Sequence, residues 1–256
     1  MTTVDTASSD PPFKDHFSRH SSTYAEYRPT YPGSLFSFLA DCCGQRELAW
    51  DCATGNGQAA RALTPFFEKV IATDASQAQL EAAEGGPEID YRIAPAEKSG
   101  LDAESIDLIT VAQALHWFDI PGFFDETQRV LAPGGVLAAW CYERCQIDSG
   151  CDELINELSE NIVGPYWPSE RKLVDEGYES IELPMPAISS PEFVMKANWN
   201  VDAMLGYLLT WSSSQRYLKD RGSSPVKLIE GRLRSFWGDD HREVIWPLHL
   251  KIGRVL

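Results

Sequence analysis

The chain has 256 residues, of which 43% are hydrophobic and 23% charged, ordinary proportions for a globular enzyme with room for a sizeable core. A formal net charge of −16 argues against a nucleic-acid partner, whose phosphates need clustered Lys and Arg, and against an anionic membrane surface. No apolar run reaches the length of a membrane span, so a small-molecule ligand is the class that remains.

Residues 1–12, "MTTVDTASSDPP", are polar, with neither a basic start nor an apolar signal core, and read as a disordered leader of a cytoplasmic chain. Residues 13–256 read as one domain, divided at residue 145 into an N-terminal core and a C-terminal half. In the core, "ELAWDCA", "KVIATDA", "IDYRIA", "SIDLITVAQAL" and "GGVLAAWCY" are short apolar runs of strand character. "GQAARALTPFF", "SQAQLEAAE" and "IPGFFDETQRVL" between them have helical patterning. Strands alternating with helices indicate βαβ units and a parallel sheet covered on both faces, with five strands by Tyr142. Beyond residue 145 the pattern changes. "DELINELSENIV" and "SERKLVDEGY" read as helices, "SIELP" and "EFVMKANWN" as extended. "DAMLGYLLTWSSSQRYL" and "PVKLIEGRLRSFWG" are helical, and "REVIWPLHLKIGRVL" is strand-like. This half is expected to complete the sheet and build a partial lid.

The six cysteines (42, 43, 52, 141, 145, 151) suit a reduced compartment better than a disulfide scaffold, and no paired C-x-x-C marks a metal site.

The chemistry-bearing stretch is "AWDCATGNGQAA", residues 49–60, a strand, a tight turn and a helix. Gly55 and Gly57 lack Cβ and allow a sharp turn and close approach of a ligand to the backbone. The helix beginning near Gln58 aims its N-terminus at whatever binds there. Gly55-x-Gly57-x-x-Ala60 also satisfies the dinucleotide pattern, so NAD is a competing ligand. Asp51, aimed at the loop, suits a cationic ligand better than a pyrophosphate. Asp74 ends the next strand, where a carboxylate accepts both hydroxyls of an adenosine ribose; the alternative is a helix N-cap.

"YAEYRPTYP" (24–32), "WDCATGNGQAA" (50–60), "ATDAS" (72–76), "APAEKSGL" (94–101), "AQALHWFD" (112–119), "RVLAPGGVLAAW" (129–140) and "SFWG…VIWPLHLKIGR" (235–254) occur in an order and spacing that resembles the class I S-adenosylmethionine (SAM)-dependent methyltransferases. Within that class they look like the small-molecule group that includes trans-aconitate methyltransferase-like enzymes. The resemblance covers nearly the whole chain after residue 13. It implies a Rossmann-like, doubly wound α/β fold, with a mostly parallel seven-stranded sheet, helices on both faces and a C-terminal helical lid. It implies SAM as cofactor, seated on Asp51, Ala53, Thr54, Gly55, Gly57 and Gln58, with Asp74 and Ala75 at the ribose and Ala96 and Glu97 at the adenine. It also implies that Tyr24 covers the methionine part of SAM while Arg28 pairs with its carboxylate. The departure from the family pattern is Ala53, where many relatives carry glycine; alanine fits if φ there is negative.

Ligands of open α/β sheets sit at the carboxyl ends of the strands, which places Gln113, Ala114, His116 and Trp117 at the reacting methyl. His116 is a candidate general base and Trp117 a wall of the acceptor site. Among the aromatics of the C-terminal half most are core, with Tyr166, Trp167 and Trp211 as candidate acceptor-pocket residues. Arg171 and Arg216 are possible anchors for an acidic acceptor, though surface placement is the plainer reading of both.

The expected reaction is SN2 transfer of a methyl group to a small-molecule acceptor, a carboxylate or hydroxyl oxygen foremost, by a monomer or homodimer. The rivals are an NAD-dependent oxidoreductase, for which no Tyr-x-x-x-Lys pair is found, and a non-catalytic SAM-binding protein.

Overall fold

A computed structural model describes residues 27–256. Tyr24 and the leader lie outside the described residues.

The element order is α1 (Gly33–Asp41), β1 (Leu48–Cys52), α2 (Gln58–Leu63), β2 (Lys69–Asp74), α3 (Gln77–Glu81), β3 (Ile89–Ile93), β4 (Ile106–Ala112), α4 (Ile120–Val130) and β5 (Leu131–Tyr142). The second half adds α5 (Ser149–Asn156), α6 (Arg171–Asp175), β6 (Phe193–Trp199), α7 (Val201–Leu209), α8 (Ser212–Arg221), α9 (Lys227–Trp237) and β7 (Arg242–Arg254). The strands form one seven-stranded sheet in the order β3-β2-β1-β4-β5-β7-β6. β1 to β5 pair in parallel, and β7 runs antiparallel to both β5 and β6. The mostly parallel, doubly wound sheet expected from the sequence is the one present.

Alternate strand residues supply two cores. Ala49, Leu108, Ala138 and Trp140 face α1, α2 and the helices of the C-terminal half. Trp50, Ile109, Ala139 and Cys141 face α4 and Tyr178. Because both faces are covered, the central strands are apolar at nearly every position rather than at every second one. β7 accommodates Pro247 because its ladder to β5 begins one residue later, at Leu248 opposite Tyr142. All six cysteines are free and buried, and no helix among the described residues is long and apolar enough to cross a membrane.

Three local readings change. "SIELP" forms no strand. "DAMLGYLLTWSSSQRYL" splits into α7 and α8, because Trp211 is extended (φ −60°, ψ 137°) and the Thr210 hydroxyl turns back onto the Tyr207 carbonyl at 2.6 Å. α1 is an additional helix, signalled by apolar residues at 35, 36, 39 and 40, all buried.

Candidate active site

The β1–α2 loop is built from strained backbone held by two carboxylates. Asp74, at the end of β2, accepts the Gly55 backbone N–H at 2.9 Å through Oδ2 and the Ser76 N–H at 2.8 Å through Oδ1. The N-cap of α3 is Ser76, so Asp74 serves the glycine loop rather than capping the helix itself. A Cβ built at Gly55 (φ +57°) would meet nothing nearer than Gln79 Oε1 at 3.9 Å, leaving open space above the loop. Gly57 is a glycine for another reason: with φ +81°, its Cβ would fall 2.1 Å from the Tyr91 hydroxyl, which donates to the Glu84 carbonyl at 2.8 Å. Gln58 donates to the Pro29 carbonyl at 3.2 Å, tying the segment before α1 to the start of α2.

Two expectations about this loop are corrected. Ala53 has φ +54°, not a negative value, so the alanine sits in the left-handed region that its Cβ disfavours. Asp51 is not open to the loop. It lies beneath it, wholly buried, accepting from Thr54 Oγ1 at 2.5 Å and Thr110 Oγ1 at 2.7 Å. Burial pushes its carboxyl up to about 6, against the opposing pull of the two hydroxyls and the Ala60 N–H. Asp51 therefore shapes the loop and supplies negative potential from below, with the Thr54 hydroxyl bonded to it.

The loop after β3 is pinned to α4. Glu126 accepts from the Ser99 backbone N–H at 2.8 Å, from the Ser99 hydroxyl and from Arg129 Nε at 2.7 Å, which together hold its carboxyl down at about 2. Ala96 is buried near the start of this loop. The Glu97 carboxylate accepts the Asp119 backbone N–H at 2.9 Å, at the N-cap of α4.

At the end of β4, Gln113 adopts φ +56° and the chain turns off the sheet. Its N–H still reaches the Trp140 carbonyl at 2.8 Å, and its side-chain amide then takes over the ladder. Oε1 accepts from the Tyr142 N–H at 2.7 Å and Nε2 donates to the Tyr142 carbonyl at 3.1 Å. The turn delivers Ala114, His116 and Trp117 to the carboxyl end of the sheet, next to the end of β1, with which β4 pairs.

A small cleft of about 70 Å³ lies there, lined among others by Arg28, Gln113, His116, Trp117, Arg144 and Arg171. Three guanidinium groups thus border one cleft in a chain of net charge −16. Arg28 donates to the Tyr142 hydroxyl at 2.7 Å and sits over the Tyr207 ring. Arg144 pairs with Glu160 at 2.7 Å. Arg171 pairs with Asp175 at 2.8 Å and stacks on Trp167, its guanidinium carbon 4.6 Å from the ring centroid. Its side chain is only 18% exposed, so it belongs to the cleft and not to the outer surface. Arg216 instead donates to the Tyr166 carbonyl at 3.3 Å.

Trp167 and Trp211 line the cleft, their ring centroids 5.6 Å apart. Tyr166 does not; its hydroxyl donates to Asp220 at 2.6 Å and accepts from Arg221 Nε at 3.0 Å, toward the far end of α8. His116 is buried, and its Nδ1 lies 2.9 Å from the hydroxyl of Tyr178. Burial and the Arg171 guanidinium beside it pull the imidazole down to about 3. Sequence reasoning missed Tyr178, Tyr142 and Arg144. Tyr142 and Arg144 were findable by the same strand-end rule that located Gln113, since "CYERC" closes β5.

A methyltransferase-domain family model matches residues 50–139, the span from β1 through β5. A Dictyostelium discoideum protein assigned as a methyltransferase is 36% identical over 211 residues, covering 81% of this chain and 80% of that protein. A Saccharomyces cerevisiae protein designated an S-adenosylmethionine-dependent methyltransferase is 25% identical over 241 residues, covering 80% of this chain and 83% of its own. Among solved structures, one described as a type II methyltransferase from Anaeromyxobacter dehalogenans superposes with a TM-score of 0.83 at 38% identity, covering 90% of this chain and 98% of that one. The oxidoreductase rival falls with these matches. Sheet order, glycine loop and relatives agree, and the chain belongs to the class I SAM-dependent methyltransferases.

Proposed function

We propose that this methyltransferase transfers the methyl group of SAM to an oxygen of a small acidic acceptor, forming a methyl ester. The residues fit SAM. Gly55 leaves open space above a backbone loop, the Asp74 carboxylate at the end of β2 retains lone pairs for ribose hydroxyls, and buried Asp51 gives the loop the negative potential a cationic ligand requires. Thr54, Ala75 and the Ala96–Glu97 backbone would complete the seat, with Arg28 near the methionine end. When bound, SAM supplies a methyl group activated by its sulfonium. The chain itself has to hold, align and dry the acceptor.

The observation that carries the acceptor class is the convergence of Arg144 and Arg171 with His116 on one cleft at the ends of β4 and β5, with Arg28 on the side toward the methionine end. Set against the one carboxylate in the lining, Glu143, two guanidinium groups favour an anion locally in a protein of net charge −16. Guanidinium forks match carboxylate geometry, and Trp117, Trp167 and Trp211 wall the site against water. A carboxylate arrives deprotonated and needs no base.

The test is an acceptor panel of small mono-, di- and tricarboxylates, phenols and amines, read by mass spectrometry for a methyl adduct. Carboxylates are the expected substrates, with Arg171→Ala raising the acceptor KM about tenfold or more while S-adenosylhomocysteine affinity holds. Methylation confined to phenols or amines contradicts the assignment.

A further inference from the structure

Tyr178 reaches His116 by a route that the local sequence specifies. α6 ends in a Schellman motif: the Tyr178 N–H bonds the Leu173 carbonyl at 2.9 Å and the Gly177 N–H bonds the Val174 carbonyl at 2.9 Å. Gly177 has φ +58°, and a Cβ there would also press on His249 Nδ1 at 2.6 Å. Tyr178 follows with φ +60°, a conformation that a bulky side chain rarely adopts. Two consecutive left-handed residues swing the phenol inward until it is wholly buried beside His116. Strain of this kind persists where the surroundings fix it, and sites of function are where it gathers.

We infer that Tyr178 is a positioning residue that fixes His116 in the tautomer protonated at Nε2, so that His116 offers the acceptor a hydrogen-bond donor and not a basic nitrogen. The phenol is wholly buried, and His116 Nδ1 is the side-chain hydrogen-bond partner of its oxygen among the described residues. Its single hydrogen then goes to His116 Nδ1, 2.9 Å away. An imidazole that accepts at Nδ1 carries its proton at Nε2. The charged groups that act on the ring are Arg171, which opposes its protonation, and Glu170, which favours it; Arg171 prevails. Desolvation acts in the same direction, so the ring stays uncharged at neutral pH, with an N–H available on the edge of a cleft that Arg144 and Arg171 already make attractive to anions. The consequence is a restriction on substrate: the acceptor oxygen has to arrive without a proton that His116 would otherwise remove.

The inference rests on the proposed acceptor cleft, but its first test does not need an acceptor. In protein labelled with ¹⁵N-histidine, long-range proton–nitrogen correlation shows which ring nitrogen carries the proton, the His116 signals being identified by their loss in His116→Gln. The expected spectrum at neutral pH has His116 protonated at Nε2 alone, and Tyr178→Phe converts it to a mixture or to the Nδ1 form. An Nδ1–H ring or an imidazolium in the parent protein overturns the proposal, as does a tautomer unchanged by Tyr178→Phe. In turnover, Tyr178→Phe should raise the acceptor KM about fivefold to tenfold and leave S-adenosylhomocysteine affinity within about twofold. His116→Gln, which keeps an N–H donor but no basic nitrogen, should retain about tenfold more activity than His116→Ala. Equal loss in both variants, with a parent rate that rises through a single ionisation absent from them, establishes a base and refutes the donor role. If no acid is methylated but the Nε2 tautomer is found, the acceptor assignment fails and the positioning by Tyr178 stands.

Discussion

The Asp74 carboxylate accepts the backbone N–H of Gly55 at 2.9 Å, so the acid that ends β2 also sets the first glycine of the β1–α2 loop. One side chain thereby shapes the cradle and, in the proposed seat for SAM, also meets the ribose. Asp74→Ala removes both functions, and with two charge-assisted bonds of about 1.5 kcal/mol each, affinity for S-adenosylhomocysteine should fall about 100-fold or more. Calorimetric titration of the variant checks this; affinity equal to that of the parent places the ribose elsewhere.

Ala53 stands at φ +54° in a loop where glycine would be unstrained. Relief of roughly 1–2 kcal/mol of left-handed strain exceeds the roughly 0.5–1 kcal/mol that glycine adds in unfolded-chain entropy. Ala53→Gly should therefore stabilise the protein by up to about 1 kcal/mol, and Ala53→Val should destabilise it by about 2 kcal/mol or more, since branching at Cβ aggravates the same clash. Urea midpoints at equal m-value decide the matter. A glycine variant less stable than the parent contradicts the strain.

Asp51 makes a signed prediction about pH. Its folded-state carboxyl lies at about 6, above the value of an unfolded aspartate. The native state thus holds the proton more tightly, and the stability this contributes is fully present below about pH 4 and is lost as pH rises through 6. The loss amounts to about 3 kcal/mol, roughly two pH units at 1.36 kcal/mol each. Asp51→Asn has no such ionisation. Relative to the parent, the variant should gain stability steadily between pH 4 and 7, as read from denaturation midpoints at each pH; parallel curves would contradict the buried charge.

His116 acts in the opposite sense, since its folded value is depressed to about 3. The stability that comes from holding it uncharged is complete above the ordinary histidine value of about 6.5 and is lost as pH falls toward 3. His116→Gln should accordingly lose less stability than the parent between pH 6.5 and 4, compared in the same denaturation series.

The order of strands and helices from β1 to β5 was legible because each strand is buried on both faces and reads as an unbroken apolar run. The glycine loop and Asp74 were legible because spacing alone sets them at strand ends. Other features depend on partners distant in sequence. Nothing near Asp51 signals that Thr110, on β4, closes over it, and nothing near His116 points to a phenol 62 residues away. Ala53 misled because residue type does not report φ. Tyr166 sits among aromatics that line the cleft, yet a hydroxyl partner on α8, Asp220, draws it off. Arg171 reads as a surface residue until Trp167 is seen beneath it.

The most direct measurement is calorimetric titration of the purified protein with S-adenosylhomocysteine and, in parallel, with NAD⁺. A cradle of Gly55, Asp74 and the buried Asp51 predicts one site per chain for S-adenosylhomocysteine and no heat from NAD⁺. Binding of NAD⁺ with none of S-adenosylhomocysteine would contradict the reading of Asp51 and the cradle together.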